Sequence, residues 1–457
     1  MVENTSVERI KEIRGRQERF FRSGVTLDVK WRLERLKAFE AAVRKWEKPL
    51  CEALWTDLHK SYEEAYLTEF SILLGEIRSH IHNIRKWSRP QRKPTPLKMF
   101  PSRSKIISEP LGTALIISPW NYPVQLLLTP LVGAISSGCT AVLKPSPYVP
   151  NVSEVTRQMI EDTFSDEYVA VVQGNREVNT ALLEERWDLI FFTGSPALGR
   201  LVMGAAAKNL TPVILELGGK SPCIVDKDAD IKVAAKRIAW GKSLNTGQTC
   251  IAPDYLMIHE EIKDEFLKEL ETSFKELLGA DASTTGHFVR IVNDKAFDRL
   301  EGYLKDGRIT FGGHTDRDDR YFEPTVLDGV SPDAPVMREE IFGPIFPVQT
   351  FKDTDEVISF VTSREKPLAL YYFGSRGDYV LRHTSSGGAC INDTIMHIAN
   401  ENIPFGGVGN SGLGSYHFKR SFDAFTHYRA VVTTPTWLDL PFRYMPYKFF
   451  KVVKRLL

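Results

Sequence analysis

The chain has 457 residues, with 59 basic and 58 acidic side chains and a formal net charge of +1. Because single hydrophobic cores stop growing at ~250–300 residues, we expect at least two lobes with a cleft between them. The balanced charge excludes a global field that would attract nucleic acid, so we expect no such partner. The five cysteines contain no C-x-x-C pair, which argues against disulfides and a metal site and favours a reducing compartment.

The N-terminus is polar and lacks the apolar run of a signal peptide. The sequence contains no run of ~18 apolar residues, so we predict no membrane-spanning helix. We therefore expect a cytoplasmic protein.

The first ninety residues carry apolar side chains at helical spacing and predict helices, which end at a proline-rich stretch beginning at Pro90. From there to about Gly219, short apolar strands alternate with helical patterns. Alternation of this kind indicates a mostly parallel sheet with helices on both faces, which binds ligands at the carboxyl ends of its strands. We predict the strands at 113–118, 140–144, 168–173, 189–193 and 212–217.

A second α/β stretch follows, with a similar alternation of patterns. We predict helices at 230–243 and 261–278 and strands or apolar runs at 255–258, 325–327, 348–351 and 370–373. The glycine-rich segment 404–414 is predicted as a loop, because its glycines would lose too much backbone entropy in a packed strand or helix. Segment 104–108 indicates an isolated early strand and segment 429–434 a late one.

The last residues, 437–457, interleave aromatic and basic side chains. Such an amphipathic tail favours peripheral contact with an anionic membrane surface, where rings enter the interface and cations face the headgroups. The alternative is a tail that packs on the protein.

Cys250 stands in the run Asn245-Thr246-Gly247-Gln248-Thr249-Cys250-Ile251-Ala252-Pro253. Glycine, small polar residues and a following proline place this cysteine where the backbone approaches another group closely. The pattern predicts a reactive thiol.

The strand at 189–193 leads into Gly194, Ser195 and Pro196. Ser195 is a good N-cap and Pro196 suits the first helical position, so free N–H groups at the helix start form an anion site that fits a pyrophosphate. The glycine spacing is not the dinucleotide fingerprint, and Arg200 stands where a P-loop requires lysine. An ordinary strand-to-helix turn therefore stays open as an alternative.

Two further polar residues stand at predicted strand ends. Glu216 precedes Gly218 and Gly219, which would leave room for water beside a nucleophile; the alternative is a solvated or salt-bridged carboxylate. Asn121 is fixed between Pro119 and Pro123, and its alternative is a structural helix cap.

Taken together, these segments resemble the aldehyde dehydrogenase superfamily, whose motifs occur in the family's order from residue 119 to 414. They are Pro119-Trp120-Asn121-Tyr122-Pro123, Lys144-Pro145-Ser146, Phe192-Thr193-Gly194-Ser195, Glu216-Leu217-Gly218-Gly219-Lys220-Ser221-Pro222, Gly247-Gln248-Thr249-Cys250, Glu339-Glu340-Ile341-Phe342-Gly343-Pro344 and Pro404-Phe405-Gly406-Gly407. The short N-terminal region, the residues after Cys250 and segment 406–412 are similar to the class 3 branch, which includes fatty aldehyde dehydrogenases.

The resemblance implies a Rossmann-type cofactor domain (1–89 and 109–217), a second α/β catalytic domain (218–405) and a small β region for oligomerisation (90–108 and 420–436). It also implies that the thiolate of Cys250 attacks the aldehyde and that Asn121 and the Cys250 N–H hold the oxyanion. Hydride then passes to a nicotinamide, and Glu216 activates the water that hydrolyses the thioester. A CoA-acylating enzyme and a retired dehydrogenase scaffold are the alternatives, and the presence of Glu216, Cys250 and Asn121 argues against them.

On the cofactor side, the resemblance assigns Lys144 and Glu340 to the two riboses and Ser195 with Gly194 to the pyrophosphate. The resemblance also assigns Trp120 to the cofactor site and places Phe342 near the nicotinamide.

Many relatives carry a glutamate where Pro147 stands here, and loss of that carboxylate removes repulsion against a 2′-phosphate. We therefore expect NADP to be accepted alongside NAD. Tyr122 and Trp240 match positions near the substrate, which predicts an apolar tunnel, with plain core aromatics as the alternative. The class 3 resemblance further implies a homodimer.

Overall fold

The computed structural model describes residues 3–456 of the chain. Met1, Val2 and Leu457, which fall within the predicted first domain and the predicted tail, lie outside the described residues.

The N-terminal region is helical, as its apolar spacing predicts. The first helices begin where Ser6 and Asp28 accept hydrogen bonds from backbone N–H groups of the first turn. A π-helical turn, Tyr66–Phe70, leads into the fourth helix. The elements are α1 (Val7–Arg22), α2 (Val29–Leu58), α3 (Tyr62–Ala65), α4 (Ser71–Trp87), β1 (Gln91–Lys93) and β2 (Arg103–Pro110).

A parallel sheet with alternating helices follows. Its elements are β3 (Thr113–Ile117), α5 (Gln125–Ser137), β4 (Thr140–Lys144), α6 (Pro150–Thr163), β5 (Val169–Val171), α7 (Arg176–Glu184), β6 (Leu189–Gly194), α8 (Pro196–Ala207) and β7 (Val213–Leu217). The strand order β5-β4-β3-β6-β7 reverses between β3 and β6, which is the Rossmann arrangement. All five predicted strands are confirmed, although β5 is shorter than predicted. Asn121, Ser195 and Glu216 consequently stand at the carboxyl end of one sheet.

The second α/β unit contains a seven-stranded sheet. Its elements are β8 (Pro222–Val225), α9 (Ile231–Ser243), β9 (Tyr255–His259), α10 (Lys263–Leu278), α11 (Asp294–Tyr303), β10 (Arg308–Phe311), β11 (Thr315–Asp316), β12 (Tyr321–Phe322), β13 (Thr325–Asp328), α12 (Pro335–Arg338), β14 (Ile345–Phe351), α13 (Thr354–Thr362), β15 (Ala369–Phe373), α14 (Gly377–His383) and β16 (Gly388–Ile391). The order is β10-β13-β14-β9-β8-β15-β16, parallel except for β10. Strands β8, β10 and β16 span four residues each and escaped prediction, because runs that short carry little periodicity.

The C-terminal segment returns to the first sheet. Its elements are β17 (Gly412–Leu413), α15 (Lys419–Ala424), β18 (Thr426–Thr433) and α16 (Phe450–Leu456). The prediction of a loop throughout 404–414 is wrong at β17, which pairs antiparallel with β7 and sets Gly412 opposite Glu216. Gly412 has a φ of 154°, and a Cβ there would collide with the Leu215 carbonyl. Glycine is therefore what allows this segment to close the edge of the sheet.

Segment 104–108, predicted as an isolated strand, has partners on both sides. It belongs to β2, which pairs with β1 and, along its whole length, with β18 in an antiparallel three-stranded sheet. The sequence could not show this pairing, because more than three hundred residues separate the two strands.

Within residues 3–456, no helix is both long enough and apolar enough to cross a membrane. The side chains from 441 to 452 are all exposed, including Phe442, Tyr447 and Phe450. The rings of Phe442 and Phe449 contact each other edge to face.

Candidate active site

Cys250 lies in the loop between α9 and β9, just after a tight 3-10 turn. Asn245, Thr246 and Gly247 in this turn have φ values of 50°, 55° and 71°. A Cβ at Gly247 would collide with the Gly343 carbonyl, so only glycine fits there. Three successive left-handed residues bend the chain sharply ahead of the thiol, and the contact between Gly247 and the Gly343 carbonyl is a close backbone approach of the kind predicted.

Buried hydrogen bonds hold this loop in place. The Asn245 side-chain amide donates to the carbonyls of Asn121 (3.0 Å) and Gln248 (2.9 Å). The Tyr371 hydroxyl donates to the Ile251 carbonyl at 2.5 Å. Sequence reasoning assigned no role to Asn245 or Tyr371. Asparagine itself was a usable signal, because it is enriched among residues with left-handed backbone, whereas Tyr371 is one of several large side chains in a buried strand.

Asn121 follows β3 and is buried beside the Cys250 loop. Its Nδ2 donates to the Gln248 carbonyl at 3.0 Å, two residues before the cysteine. Among the described residues its Oδ1 has no hydrogen-bond partner. The amide group that the sequence placed near the thiol is therefore in the right part of the fold to serve as a donor there.

A cavity of about 680 Å³ opens beside Cys250. Its walls are mainly apolar and include Leu126, Trp240, Leu244, Ile395 and Phe405. Tyr122 also lines the cavity, and its hydroxyl lies 2.6 Å from Thr249 Oγ1. The structure thus brings both predicted substrate residues, Tyr122 and Trp240, to the same cavity as the cysteine.

Glu64 is a charged residue of this cavity that the sequence did not indicate. Its carboxylate accepts a hydrogen bond from the Asn245 N–H at 2.7 Å. Burial raises the pKa of Glu64 to about 7. Glu63 and Glu401 also line the cavity, and Glu64 is the one of these three carboxyls whose pKa burial brings close to neutral.

The surroundings of Cys250 and Glu216 raise the pKa of both side chains. Burial raises the pKa of the Cys250 thiol above its ordinary value, and the charges of Glu340 and Glu216 raise it further. Burial also raises the pKa of the Glu216 carboxyl well above its usual range, and neither of its oxygens has a partner in residues 3–456. Burial thus disfavours the charged forms of both groups.

A larger cleft of about 1020 Å³ has Ser195, Pro196 and Glu340 in its walls. As predicted, Ser195 caps α8 by accepting from the Leu198 N–H at 3.4 Å, and Pro196 is the first helical residue. Glu340 Oε1 is buried without a partner in the described chain, and burial, followed by the charge of Asp254, raises the pKa of Glu340 to about 8. A helix N-terminus and a free carboxyl oxygen in one cleft fit the phosphates and hydroxyls of a dinucleotide.

The other predicted cofactor residues, Gly194, Trp120, Lys144 and Phe342, are not among the residues that line this cleft. The rings of Trp120 and Phe342 meet edge to face with centroids 5.4 Å apart, which joins the two α/β units. Lys144 is buried at the end of β4, where its Nζ donates to the Pro145 carbonyl at 2.8 Å and burial lowers its pKa to about 8. Lys144 lines neither of the two cavities described above.

A Rossmann sheet with a large cleft at the N-terminus of one of its helices, together with an apolar cavity lined by a cysteine, is typical of nicotinamide-dependent oxidoreductases. Comparison with known proteins agrees with this class. The sequence model of the aldehyde dehydrogenase family matches residues 2–431. The chain belongs to this family, and it is an aldehyde dehydrogenase, an oxidoreductase that oxidises aldehydes.

Individual relatives match this chain over nearly its full length. The chain is 46% identical over 441 residues to 4,4'-diaponeurosporen-aldehyde dehydrogenase of Staphylococcus aureus, covering 95% of this chain and 96% of that one. It is 40% identical to the dimeric NADP-preferring aldehyde dehydrogenase of Canis lupus familiaris, covering 96% and 98%. The substrate-bound structure of Staphylococcus aureus AldH superposes with a TM-score of 0.96 at 44% identity, covering 98% and 99%. The predicted family and fold class are confirmed.

Proposed function

We propose that this enzyme oxidises apolar aldehydes, with medium or long aliphatic chains or aromatic groups, to carboxylic acids. The observation that carries the proposal is the cavity of about 680 Å³, because its mainly apolar walls include Cys250. A hydrocarbon chain would exchange water for these walls and gain about 0.8 kcal/mol for each buried methylene. The relative named for 4,4'-diaponeurosporen-aldehyde supports the same substrate class.

In the first step, Cys250 Sγ attacks the aldehyde carbon, and the carbonyl electron pair moves to oxygen. The product is a thiohemiacetal whose oxyanion accepts hydrogen bonds from the Asn121 amide and the Cys250 N–H. Because burial disfavours a free thiolate, the thiol passes its proton to a water molecule as the sulfur–carbon bond forms. The buried amide of Asn121, 3.0 Å from the Gln248 carbonyl, supports this role.

NAD or NADP supplies the acceptor for the hydride of the thiohemiacetal carbon when it is bound in the larger cleft. Lys144 and Glu340 would hold the riboses, and Ser195 with Gly194 would hold the pyrophosphate at the start of α8. Trp120 and Phe342 would pack beside the nicotinamide. The partnerless Oε1 of Glu340 is consistent with a ribose hydroxyl as its missing donor.

In the last step, Glu216 removes a proton from water, which attacks the thioester carbon and releases the acid with Cys250 restored as a thiol. A buried carboxyl without partners is costly to keep unless it serves a function, which supports this assignment. The CoA-acylating alternative has no use for such a group.

We also propose that the protein is a homodimer, assembled through the three-stranded sheet of the predicted β region. Strand β18 is eight residues long and is the outer strand of that sheet, with a free edge among the described residues. A long unpaired edge favours pairing with a second chain. We propose the domain division that the resemblance implies, with β17 added to the cofactor domain. Strand β17 lies in 406–419, which the prediction assigned to no domain, and it pairs with β7 of the cofactor sheet.

The test is a kcat/KM series over saturated aldehydes of increasing chain length, measured with NAD and with NADP. We expect kcat/KM to rise with chain length and the product to be free acid without added CoA. Cys250→Ala should abolish oxidation, whereas Cys390→Ala, which removes the other half-buried thiol, should not. A preference for short polar aldehydes would contradict the substrate class, and full activity of Cys250→Ala would contradict the mechanism.

A further inference from the structure

Lys60 and Glu69 form an ion pair that is completely shielded from solvent. Both side chains have zero exposure, and Lys60 Nζ lies 2.8 Å from Glu69 Oε1. Removing two charges from water is unfavourable unless their remaining hydrogen-bonding groups find good partners. The other hydrogen-bond partners of Lys60 and Glu69 therefore indicate which part of the protein the pair holds in place.

All of these further partners lie in one short segment, residues 121–125. Lys60 Nζ donates to the Asn121 carbonyl at 2.9 Å and lies 4.2 Å from the centre of the Tyr122 ring. Glu69 Oε2 accepts from the N–H groups of Val124 (2.8 Å) and Gln125 (3.2 Å), where α5 begins. The pair thus holds both ends of segment 121–125, which leads from the middle of the β3–α5 connection into α5.

Helix α5 cannot provide these contacts itself. Every residue from Gln125 to Ser137 is buried, and no side chain within the helix caps its N-terminus. The carboxylate of Glu69, which belongs to a different element, caps the helix instead and fixes the position of its first turn. Lys60 then fixes the residue four positions before it, Asn121.

The side chain of Asn121 has little else to orient it. Its single hydrogen bond among the described residues runs from Nδ2 to the Gln248 carbonyl, and Oδ1 has no partner. The main-chain carbonyl, in contrast, accepts from Lys60 at 2.9 Å and from Asn245 at 3.0 Å. The direction of the amide is therefore determined mainly through the backbone to which it is attached.

We propose that Lys60 is a positioning residue for the oxyanion donor: its ammonium holds the Asn121 carbonyl so that the Asn121 amide is directed at the carbonyl oxygen of an aldehyde on Cys250. Glu69 orients Lys60 and anchors the following helix. This inference rests on the oxyanion role of Asn121 under the proposed function. Lys60 itself touches no reacting atom.

The experiment is a double-mutant cycle on the full-length enzyme with Lys60→Met, Asn121→Ala and the double variant. The readout is kcat/KM for one apolar aldehyde at saturating NAD, with the melting temperature and the KM for NAD measured in parallel. Losing one oxyanion donor lowers the rate by ~10²–10³-fold, so the kcat/KM of Asn121→Ala should fall by that factor. Misplacing a donor by about 1 Å can lower the rate by ~10²-fold. The kcat/KM of Lys60→Met should therefore fall by about 10- to 100-fold, with little change in the KM for NAD.

The decisive comparison is the effect of Lys60→Met when Asn121 is already alanine. If Lys60 acts through the amide, the second substitution should change kcat/KM by less than about 3-fold, because the two effects are coupled. A general loss of structure would lower kcat/KM by the same factor in both backgrounds and would overturn the proposal, as would an unchanged kcat/KM of Lys60→Met alone.

Two further variants keep the test interpretable. Lys263→Met breaks an ion pair with Asp328 at a similar distance, 2.8 Å, away from both cavities, and should leave kcat/KM unchanged. If Lys60→Met does not fold, Lys60→Gln, which retains a donor for the Asn121 carbonyl, replaces it in the same cycle and should lose less activity. If Asn121→Ala is fully active, the oxyanion assignment of the proposed function has failed, and the positioning role fails with it.

Discussion

Replacing Glu216 by glutamine separates the two halves of the proposed reaction. The substitution keeps the size of the side chain but removes the base. It breaks no hydrogen bond of the described chain, because neither oxygen of the Glu216 carboxyl has a partner there. General-base catalysis contributes ~10²–10⁴-fold. This range corresponds to about 2.7–5.4 kcal/mol in the barrier of thioester hydrolysis. Attack by Cys250 and hydride transfer should continue.

The assay for Glu216→Gln is a rapid-mixing measurement of NADH formation. We expect a burst equal to the concentration of active sites, then turnover slowed by ~10²–10⁴-fold. Intact-protein mass spectrometry should find the acyl group on the enzyme, and Cys250→Ala should show neither signal. Unchanged steady-state turnover of Glu216→Gln would refute the role of Glu216 as the base.

The same variant should also reveal what the buried carboxyl costs the fold. Because the pKa of Glu216 is raised in the folded state, the folded protein retains a proton that the unfolded chain has lost above a pH of ~4.3. Wild-type stability should therefore fall relative to Glu216→Gln as pH rises from that value towards the folded pKa. Within this window the slope is about 1.4 kcal/mol per pH unit. Equal pH dependence of the two proteins in urea denaturation would show that Glu216 is not desolvated.

Three further predictions concern substrate, cofactor and tail. Trp240→Ala removes part of the cavity wall and should raise the kcat/KM ratio of dodecanal to hexanal by about 10-fold, whereas an unchanged ratio would mean that the indole does not limit the chain. Pro147→Glu adds a carboxylate near the expected adenosine ribose and should lower kcat/KM for NADP more than for NAD; a wild-type preference for NAD above about a thousandfold would contradict the premise that NADP is accepted. Deletion of 438–457 should abolish co-sedimentation with phosphatidylserine vesicles but leave activity on a short aldehyde intact; unchanged co-sedimentation would contradict membrane contact through the exposed tail.

Much of the fold could be predicted because it is local in sequence. The Rossmann strands combine a buried apolar run with a following helix, and the Ser195-Pro196 start of α8 carries its own capping chemistry. Strand β17 could not be predicted, because Gly412 pairs with Glu216 only after the intervening chain has folded. The pairing of β2 with β18 escaped prediction for the same reason.

The sequence by itself determined the family, and it predicted the reactive cysteine and the polar residues at the strand ends, because these depend on motifs a few residues long. Only the tertiary structure decided the electrostatics, since the raised pKa values of Cys250 and Glu216 come from burial by distant elements. The tertiary structure likewise showed that Lys60 and Glu69 support Asn121. Nothing in the sequence near Lys60 indicates that its ammonium lies against a carbonyl 61 residues later in the chain.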